Sequence, residues 1–434
     1  MQEVRGKRVT VAGLGRFGGQ IAAARWLVEQ GARVLVTDQA SPQKLADSIK
    51  QLEGLPIEFR LGEQRVEDFT DTDLLVASPA IPPTNDLLQA AQAANVLITT
   101  EIRLFIERCP VPIVGVTGTK GKSTTTAMLG EILSRRFTTW VGGNIGHSLL
   151  PDLEKIEKSH LVVLELSSFM LEHLGAMRWS PHVAIVTMIA ADHLDWHGSE
   201  RAYVHAKANI LRHQRPDDLA VLNQEDPPSI RFATETSARV VWFGTGGHAP
   251  LELALPGRHN QSNAQAAFLA ATQLGVSAED AREALRSFRG LAHRLQLVHE
   301  ANGIRYFNDS IATIPEAAVA ALDSFPPKTV IQIVGGSEKG LSAIPMCNAL
   351  VERAKAVLCI GATGKALAAM MSQSTHQAAA AVYDCGDLPT AMKEARAVAV
   401  PGDVVLLSPG YASYDQFTHF EERGAMFAKL ATEA

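Results

Sequence analysis

The sequence predicts an α/β protein of three domains. Strand-like apolar runs alternate with helical periodicity along the whole chain. Two of those runs end in glycine-rich loops that open helices. The length of 434 residues corresponds to about three domains of ~150 residues. Hydrophobic residues at 46% and charged residues at 20% exclude a disordered chain. A net charge of −6 argues against a nucleic-acid footprint. It leaves anionic small molecules open, because local loops and ions reverse the field. The four cysteines, Cys109, Cys347, Cys359 and Cys385, show no C-x-x-C spacing and fit a reducing compartment. The N-terminal apolar run is short and ends in a glycine turn, unlike a signal peptide. The longest apolar candidate, Val183 to Ala191, has nine residues, against the ~18 of a membrane helix. A soluble, cytoplasmic protein is expected, with neither nucleic acid nor membrane as partner.

In the first block the strand Arg8–Ala12 runs into a glycine loop and a helix over 20–30. Gly31 stops that helix, and Arg33–Thr37 reads as the next strand. Leu74–Ile81 is a further strand entering a Pro-rich loop. In the second block the strand Ile113–Thr117 runs into a second glycine loop and a helix. Leu161–Ser168 and Val183–Ile189 are continuous apolar runs, as parallel strands buried on both faces require. In the third block the strands are Thr329–Val334, Ala356–Ile360 and Val404–Leu407. The three blocks of alternating strands and helices place the domains at 1–100, 101–290 and 291–434.

Gly13-Leu14-Gly15-Arg16-Phe17-Gly18 follows the first strand, and Asp38 lies 20 residues beyond Gly18. Glycines there permit a tight turn, and a helix N-terminus favours a pyrophosphate. Read alone, the loop suggests NAD; an empty glycine turn is the bland alternative. Gly118-Thr119-Lys120-Gly121-Lys122-Ser123, continuing into Thr124, is the stronger signal. Its amides can cradle phosphates, Lys122 can reach the β/γ-phosphates, and Ser123 can hold Mg2+. Val116 occupies the position of the first glycine in the longer form of this motif, so this is a shorter variant.

Glu165 ends a buried apolar strand at the edge where ligands bind in open α/β folds. It is either an Mg2+ partner beside Ser123 or a cap for the next helix. Asp192-His193-Leu194-Asp195-Trp196-His197 follows another strand. His193 is a metal candidate because the phosphate loop is near, whereas His197 reads as structural or solvent-facing. Lys207 reads from the residues alone as a solvated helix lysine. Asn260 and Asn263, at i and i+3 on one helix face, either contact a base or ribose or cap the helix. Polar clusters at His293-Arg294, Asn308-Asp309-Ser310, Gly335-Gly336-Ser337-Glu338-Lys339-Gly340 and Ser408 to Tyr414 together suggest a binding surface in the third block.

GTKGKSTTT, GGNIG, LELSSF, DHLDWH, GRHNQSN, NDSIAT, GGSEKG and the C-terminal SPGYASYDQFTHFEERG segment occur in one order over nearly the whole chain. In that order the sequence resembles the Mur ligases of peptidoglycan synthesis, and most of all their glutamate-adding branch. The resemblance implies a Rossmann-like N-terminal domain, a phosphate-loop-containing central ATPase domain and a Rossmann-like C-terminal domain. It implies an ATP-dependent ligase joining D-glutamate to UDP-N-acetylmuramoyl-L-alanine through an acyl phosphate, giving ADP and phosphate. L-glutamate, or the pteridine substrate of a folylpolyglutamate-type relative, are the alternatives within the superfamily; an NAD-dependent oxidoreductase is the alternative outside it.

Under the resemblance the first glycine loop, Gly13, Leu14, Gly15, Arg16, Phe17 and Gly18, serves the UDP part instead of NAD. Thr37 and Asp38 would lie near the uracil-ribose, and Asn144 near the sugar or phosphate. Gly118 to Thr124 would bind ATP phosphates, and Asn260, Asn263, Arg294 and Asp309 the rest of the nucleotide. Two Mg2+ ions would be held by Ser123, Glu165, His193 and Lys207, the lysine as its carbamate. Lys122, His193 and Lys207 would form the catalytic group. Thr313, Lys339, Ser413, Tyr414 and Phe420 would hold glutamate. Ile311, Ile314 and Gln296 depart from the residues frequent at those positions in relatives. A monomer is expected.

Overall fold

The computed structural model describes residues 4–15, 18–246, 249–338, 340–373 and 380–433. Its chain forms three sheets. The first holds β1 (Arg8–Ala12), β2 (Arg33–Asp38), β3 (Ile57–Leu61), β4 (Leu74–Ala77) and β5 (Leu97–Thr99), ordered β3-β2-β1-β4-β5 and all parallel. The second holds β6 (Ile113–Thr117), β7 (Thr139–Gly143), β8 (Leu161–Glu165), β9 (Val183–Val186), β10 (Leu219–Asn223) and β11 (Arg239–Phe243). It too is wholly parallel, in the order β11-β10-β9-β6-β8-β7. The apolar runs read as strands are thus buried strands: every residue of β4, β6 and β9 is buried, as is β10, which is not among them.

The third sheet is mixed. It holds β12 (Gln296–Ala301), β13 (Ile304–Asn308), β14 (Val330–Val334), β15 (Ala356–Ile360), β16 (Ala381–Gly386) and β17 (Val404–Leu407), ordered β12-β13-β17-β14-β15-β16. β12 and β13 are antiparallel and joined through Asn302 (φ 53°) and Gly303 (φ 74°). An Asn-Gly pair with both residues at positive φ is the preferred hairpin turn. β13 then pairs in parallel with β17, and β14 with β17 and β15.

The chain divides into two compact units, Met1–Ala249 with Ser262–Arg282, and Pro250–Gln261 with Glu283–Ala434. In the first unit one hydrophobic core is continuous between the first two sheets. It runs from Val9, Val11 and Leu27 through Ile102, Phe105, Leu149 and Leu150 to Val162, Leu164 and Val186. In the second unit Phe307, Val334, Leu350 and Leu406 fill one face of the third sheet, and Ile333, Leu358, Met392 and Phe427 the other. Among the described residues no helix is long and apolar enough to cross a membrane.

Candidate functional site

The glycine loop after β6 sits at the centre of the second sheet, between the carboxyl ends of β8 and β9. Gly118 (φ 151°) and Gly121 (φ 87°) turn the chain into the helix Lys122–Leu133. A β-carbon on Gly118 would overlap the Thr187 hydroxyl, and one on Gly121 the Asn263 side chain, so both close approaches and left-handed backbones require glycine. The loop after β9 props the turn. Thr187 Oγ1 donates to the Lys120 carbonyl at 2.6 Å, and the Thr119 amide donates to the Met188 carbonyl at 2.6 Å. Lys122 Nζ lies back on the loop, donating to the Thr119 carbonyl at 3.0 Å. This leaves a helix N-terminus with Ser123 and Thr124 in its first turn, a ready site for phosphate.

Glu165, at the end of β8, is 1% exposed. Its Oε1 accepts from Asn144 Nδ2 at 2.8 Å, and the Asn144 amide donates to the Glu165 carbonyl at 2.9 Å. Its Oε2 is buried without a hydrogen-bond partner. A buried carboxylate oxygen is costly to leave unmatched. Facing a phosphate loop, it fits a hard cation whose remaining ligands are phosphate and water oxygens. Protein side chains alone would not suffice: among the described residues no group of three or more His, Cys, Asp or Glu gathers to hold a metal. Asn144 therefore supports the carboxylate directly.

Lys207 overturns the reading of a solvated helix lysine. It is 1% exposed, and Nζ donates to the Gly118 carbonyl at 2.7 Å and approaches Thr117 Oγ1 at 3.4 Å. Its ammonium also lies 4.9 Å from the centre of the Tyr203 ring. Burial, reinforced by the nearby Lys122 charge, holds its pKa well below the usual lysine range, against the opposing pull of Asp192 and Glu165. Tyr203, missed in the sequence, hydrogen-bonds Thr119 Oγ1 at 2.8 Å and so joins the lysine's wall to the phosphate loop.

His193 caps the short helix Leu194–His197 with a left-handed backbone (φ 50°), and its side chain is 48% exposed. Its ring packs 4.9 Å from that of Phe169, which also contacts Trp196 at 4.8 Å and stacks on His197 at 5.7 Å. His197, read as structural or solvent-facing, has its Nε2 3.0 Å from Ser168 Oγ. The Trp196 indole donates to the Ala80 carbonyl at 3.0 Å, tying this loop to the Pro-rich loop after β4.

In the first sheet Gly13 (φ 80°), Gly15 (φ 57°) and Gly18 (φ 83°) form the turn into the helix Gly19–Glu29. Asp38 clamps it: its carboxylate accepts from the Gly15 amide at 3.0 Å and the Ala40 amide at 2.7 Å. Thr37 and Leu14 are buried, so Leu14 offers a ligand only backbone. Arg16 and Phe17 lie outside the described residues. Close to this turn, the buried Glu101 accepts a hydrogen bond from Ser148 Oγ. Burial raises its pKa from 4.5 to about 7, the Ser148 bond opposing.

Asn260 and Asn263 are both buried on the helix Arg258–Gln273; Asn260 Nδ2 donates to the Pro256 carbonyl at 2.7 Å. In the third sheet Asp309 follows β13. Its carboxylate accepts from Ser408 Oγ at 2.7 Å and the Leu295 amide at 3.1 Å, and burial pushes its pKa up to about 7. Arg294 is exposed and Thr313 half-buried. Ser413 is buried, Tyr414 is 69% exposed, and the Phe420 ring meets His293 edge-on at 6.0 Å. Lys339 lies outside the described residues.

A propped phosphate loop beside an unmatched buried carboxylate, on a parallel sheet, defines a nucleotide-phosphate-binding α/β protein. Family models extend this over the chain: the Mur ligase MurD-like N-terminal domain matches residues 7–100, the Mur ligase middle domain 116–252, and the Mur ligase glutamate ligase domain 293–410. The chain belongs to the Mur ligase family. It is 41% identical to a UDP-N-acetylmuramoylalanine–D-glutamate ligase of Roseiflexus sp. (strain RS-1), covering 99% of both chains. It is 40% identical to the protein of the same name from Anaeromyxobacter dehalogenans (strain 2CP-C), covering 99% of this chain and 98% of that one. The crystal structure of the UDP-N-acetylmuramate–alanine ligase MurC from Thermotoga maritima shares the fold, with a TM-score of 0.59 at 22% identity over 98% of both chains.

Proposed function

We propose that this chain is a cytoplasmic, monomeric ligase that joins D-glutamate to UDP-N-acetylmuramoyl-L-alanine at the expense of ATP, with domain edges near residues 100 and 290. The observation that carries the chemistry is the pairing of the phosphate loop with the unmatched Glu165 Oε2. The substrate reading is supported by the full-length relatives.

The acyl donor is a carboxylate, which does not react with an amine at neutral pH. One of its oxygens attacks the γ-phosphorus, the bond to the bridging oxygen breaks, and ADP leaves. The glutamate amine, as free base, then attacks the acyl carbon and inorganic phosphate departs. The protein's part is alignment and charge neutralisation. The helix N-terminal amides and Lys122 hold the phosphates, Ser123 and Glu165 would hold a first Mg2+, and His193 and Lys207 a second. When bound, Mg2+ neutralises phosphoryl charge. Burial lowers the Lys207 pKa and so favours the neutral amine, the form that adds to CO2, losing a proton to give an anionic carbamate. The glycine loop from Gly13 to Gly18, with Thr37, Asp38 and Asn144, would receive the UDP-sugar. Asn260, Asn263, Arg294 and Asp309 would hold the rest of ATP, and Thr313, Lys339, Ser413, Tyr414 and Phe420 glutamate.

Phosphate release is the test. It is expected only with ATP, UDP-N-acetylmuramoyl-L-alanine and D-glutamate all present. Release with L-glutamate alone would reverse the stereochemistry, and turnover of NAD(H) would replace the reading. Lys122→Ala should abolish release with the far-UV circular dichroism unchanged; full activity in that variant removes the phosphate-loop assignment.

A further inference from the structure

The loops after β13, β14 and β17 meet around one side chain that the reaction as proposed does not use. Arg423, on the helix Phe420–Thr432, is 1% exposed and is the largest fully buried side chain among the described residues. Its Nε donates to Ser310 Oγ at 3.0 Å, its Nη2 to the Ser310 carbonyl at 2.9 Å, and its Nη1 to the Tyr411 carbonyl at 3.1 Å. Ser310 Oγ passes the connection on to the Phe420 carbonyl at 2.8 Å. A β-carbon on Gly336 would stand 3.3 Å from Nη1, so the loop after β14 abuts the guanidinium through glycine backbone. That loop is pinned to the loop after β17 by the Ser337 amide, which donates to the Ala412 carbonyl at 2.8 Å.

The charge at this junction has no ion-pair partner among the described residues. Asp415 is the carboxylate that acts on it, and Asp415 is engaged elsewhere, accepting from the Ala362 amide at 2.8 Å and Ser337 Oγ at 3.3 Å. Burial lowers the guanidinium pKa to about 10, so it remains charged at neutral pH. A buried cation hydrogen-bonded only to hydroxyl and carbonyl oxygens, with Asp415 acting from beyond contact, is incompletely neutralised in a region of low dielectric. Of the loops it ties, the one after β13 carries Thr313 and the one after β17 carries Ser413, while Phe420 opens the helix that carries Arg423 itself.

We propose that Arg423 is a positioning residue for the anionic amino-acid substrate, locking these loops into one electropositive rim without touching the substrate. This rests on the glutamate reading above. Loss of a mere loop staple would lower stability and kcat; loss of a charged rim raises the KM for glutamate selectively. Arg423→Met, which removes both the charge and the hydrogen bonds that tie the loops, is expected to raise that KM about tenfold, equivalent to about 1.4 kcal/mol. The KM for the UDP-sugar should change less than about twofold, since it engages loops of the first two sheets. Arg423→Lys keeps the charge and should recover most of the loss. Unchanged glutamate KM in folded Arg423→Met, or a parallel rise in the glutamate and UDP-sugar KM values, overturns the proposal. If Arg423→Met does not fold, Arg423→Lys and Ser310→Ala decide: a selective rise in glutamate KM in Ser310→Ala supports it, and wild-type values in both overturn it. Absence of glutamate-dependent phosphate release in the wild-type protein instead refutes the functional reading.

Discussion

Glu101 opens the helix Glu101–Ile106, with Thr100 as N-cap, inside the core shared by the first two sheets. Burial raises its pKa from 4.5 to about 7, so the folded protein binds this proton more tightly than the unfolded chain. The sign follows from linkage: the contribution is fully present below pH 4.5 and is lost as pH rises through 7. At about 1.4 kcal/mol for each pH unit of displacement, ionising the folded form costs ~3 kcal/mol in all. Glu101→Gln removes the titration and still accepts from Ser148. Between pH 5 and pH 8 the stability of the variant relative to wild type should rise by roughly 2–3 kcal/mol. For a unit of this size that corresponds to a relative gain of roughly 4–12 °C in Tm. Thermal unfolding of both proteins at closely spaced pH values measures the difference directly, because all other titrating groups cancel. Parallel curves across this range would refute the reasoning, since they require Glu101 to be as well solvated folded as unfolded.

Three further perturbations probe the phosphate loop. Gly121→Ala must hold φ 87°, at a cost of about 1–2 kcal/mol, and displace the Asn263 side chain; a rise in ATP KM of about tenfold is expected by steady-state kinetics. Asn144→Ala removes the amide donor from Glu165 Oε1, and a magnesium titration of activity should shift to about tenfold higher concentration. Lys207→Ala should lose activity that added short-chain carboxylic acids partly restore; activity equal to wild type would exclude the carbamate.

The glycine loops and apolar strands were legible because their causes are local. A left-handed turn needs glycine within a few residues, and a strand buried on both faces is written in its own sequence. Lys207 was not legible, because its environment is made by Gly118 and Thr117, about ninety positions away. The helix that carries it otherwise presents Glu200, Arg201 and His205 to solvent, so its sequence reads as a surface helix. Thr187 had a signal, a lone hydroxyl in an apolar run, whose meaning appears only when β9 lies beside β6. The β12–β13 hairpin also had one, in Asn302-Gly303, but β12 is only partly buried and neither strand has the continuous apolar pattern. Arg423 sits in a polar stretch, and no local feature distinguishes a buried arginine from a solvated one.

The core that continues from the first sheet into the second sets a limit on how the chain can be divided. A fragment ending at Thr100 would keep its five strands yet lose Ile102, Phe105, Leu149 and Leu150, which cover the helix Gly19–Glu29 from outside the first sheet. The glycine turn from Gly13 to Gly18 opens that same helix. An isolated N-terminal fragment would therefore expose oil to water beside the very loop one would wish to study, and ligand screening on it would report stickiness in place of recognition. The smallest faithful specimen for sugar-nucleotide binding retains both parallel sheets.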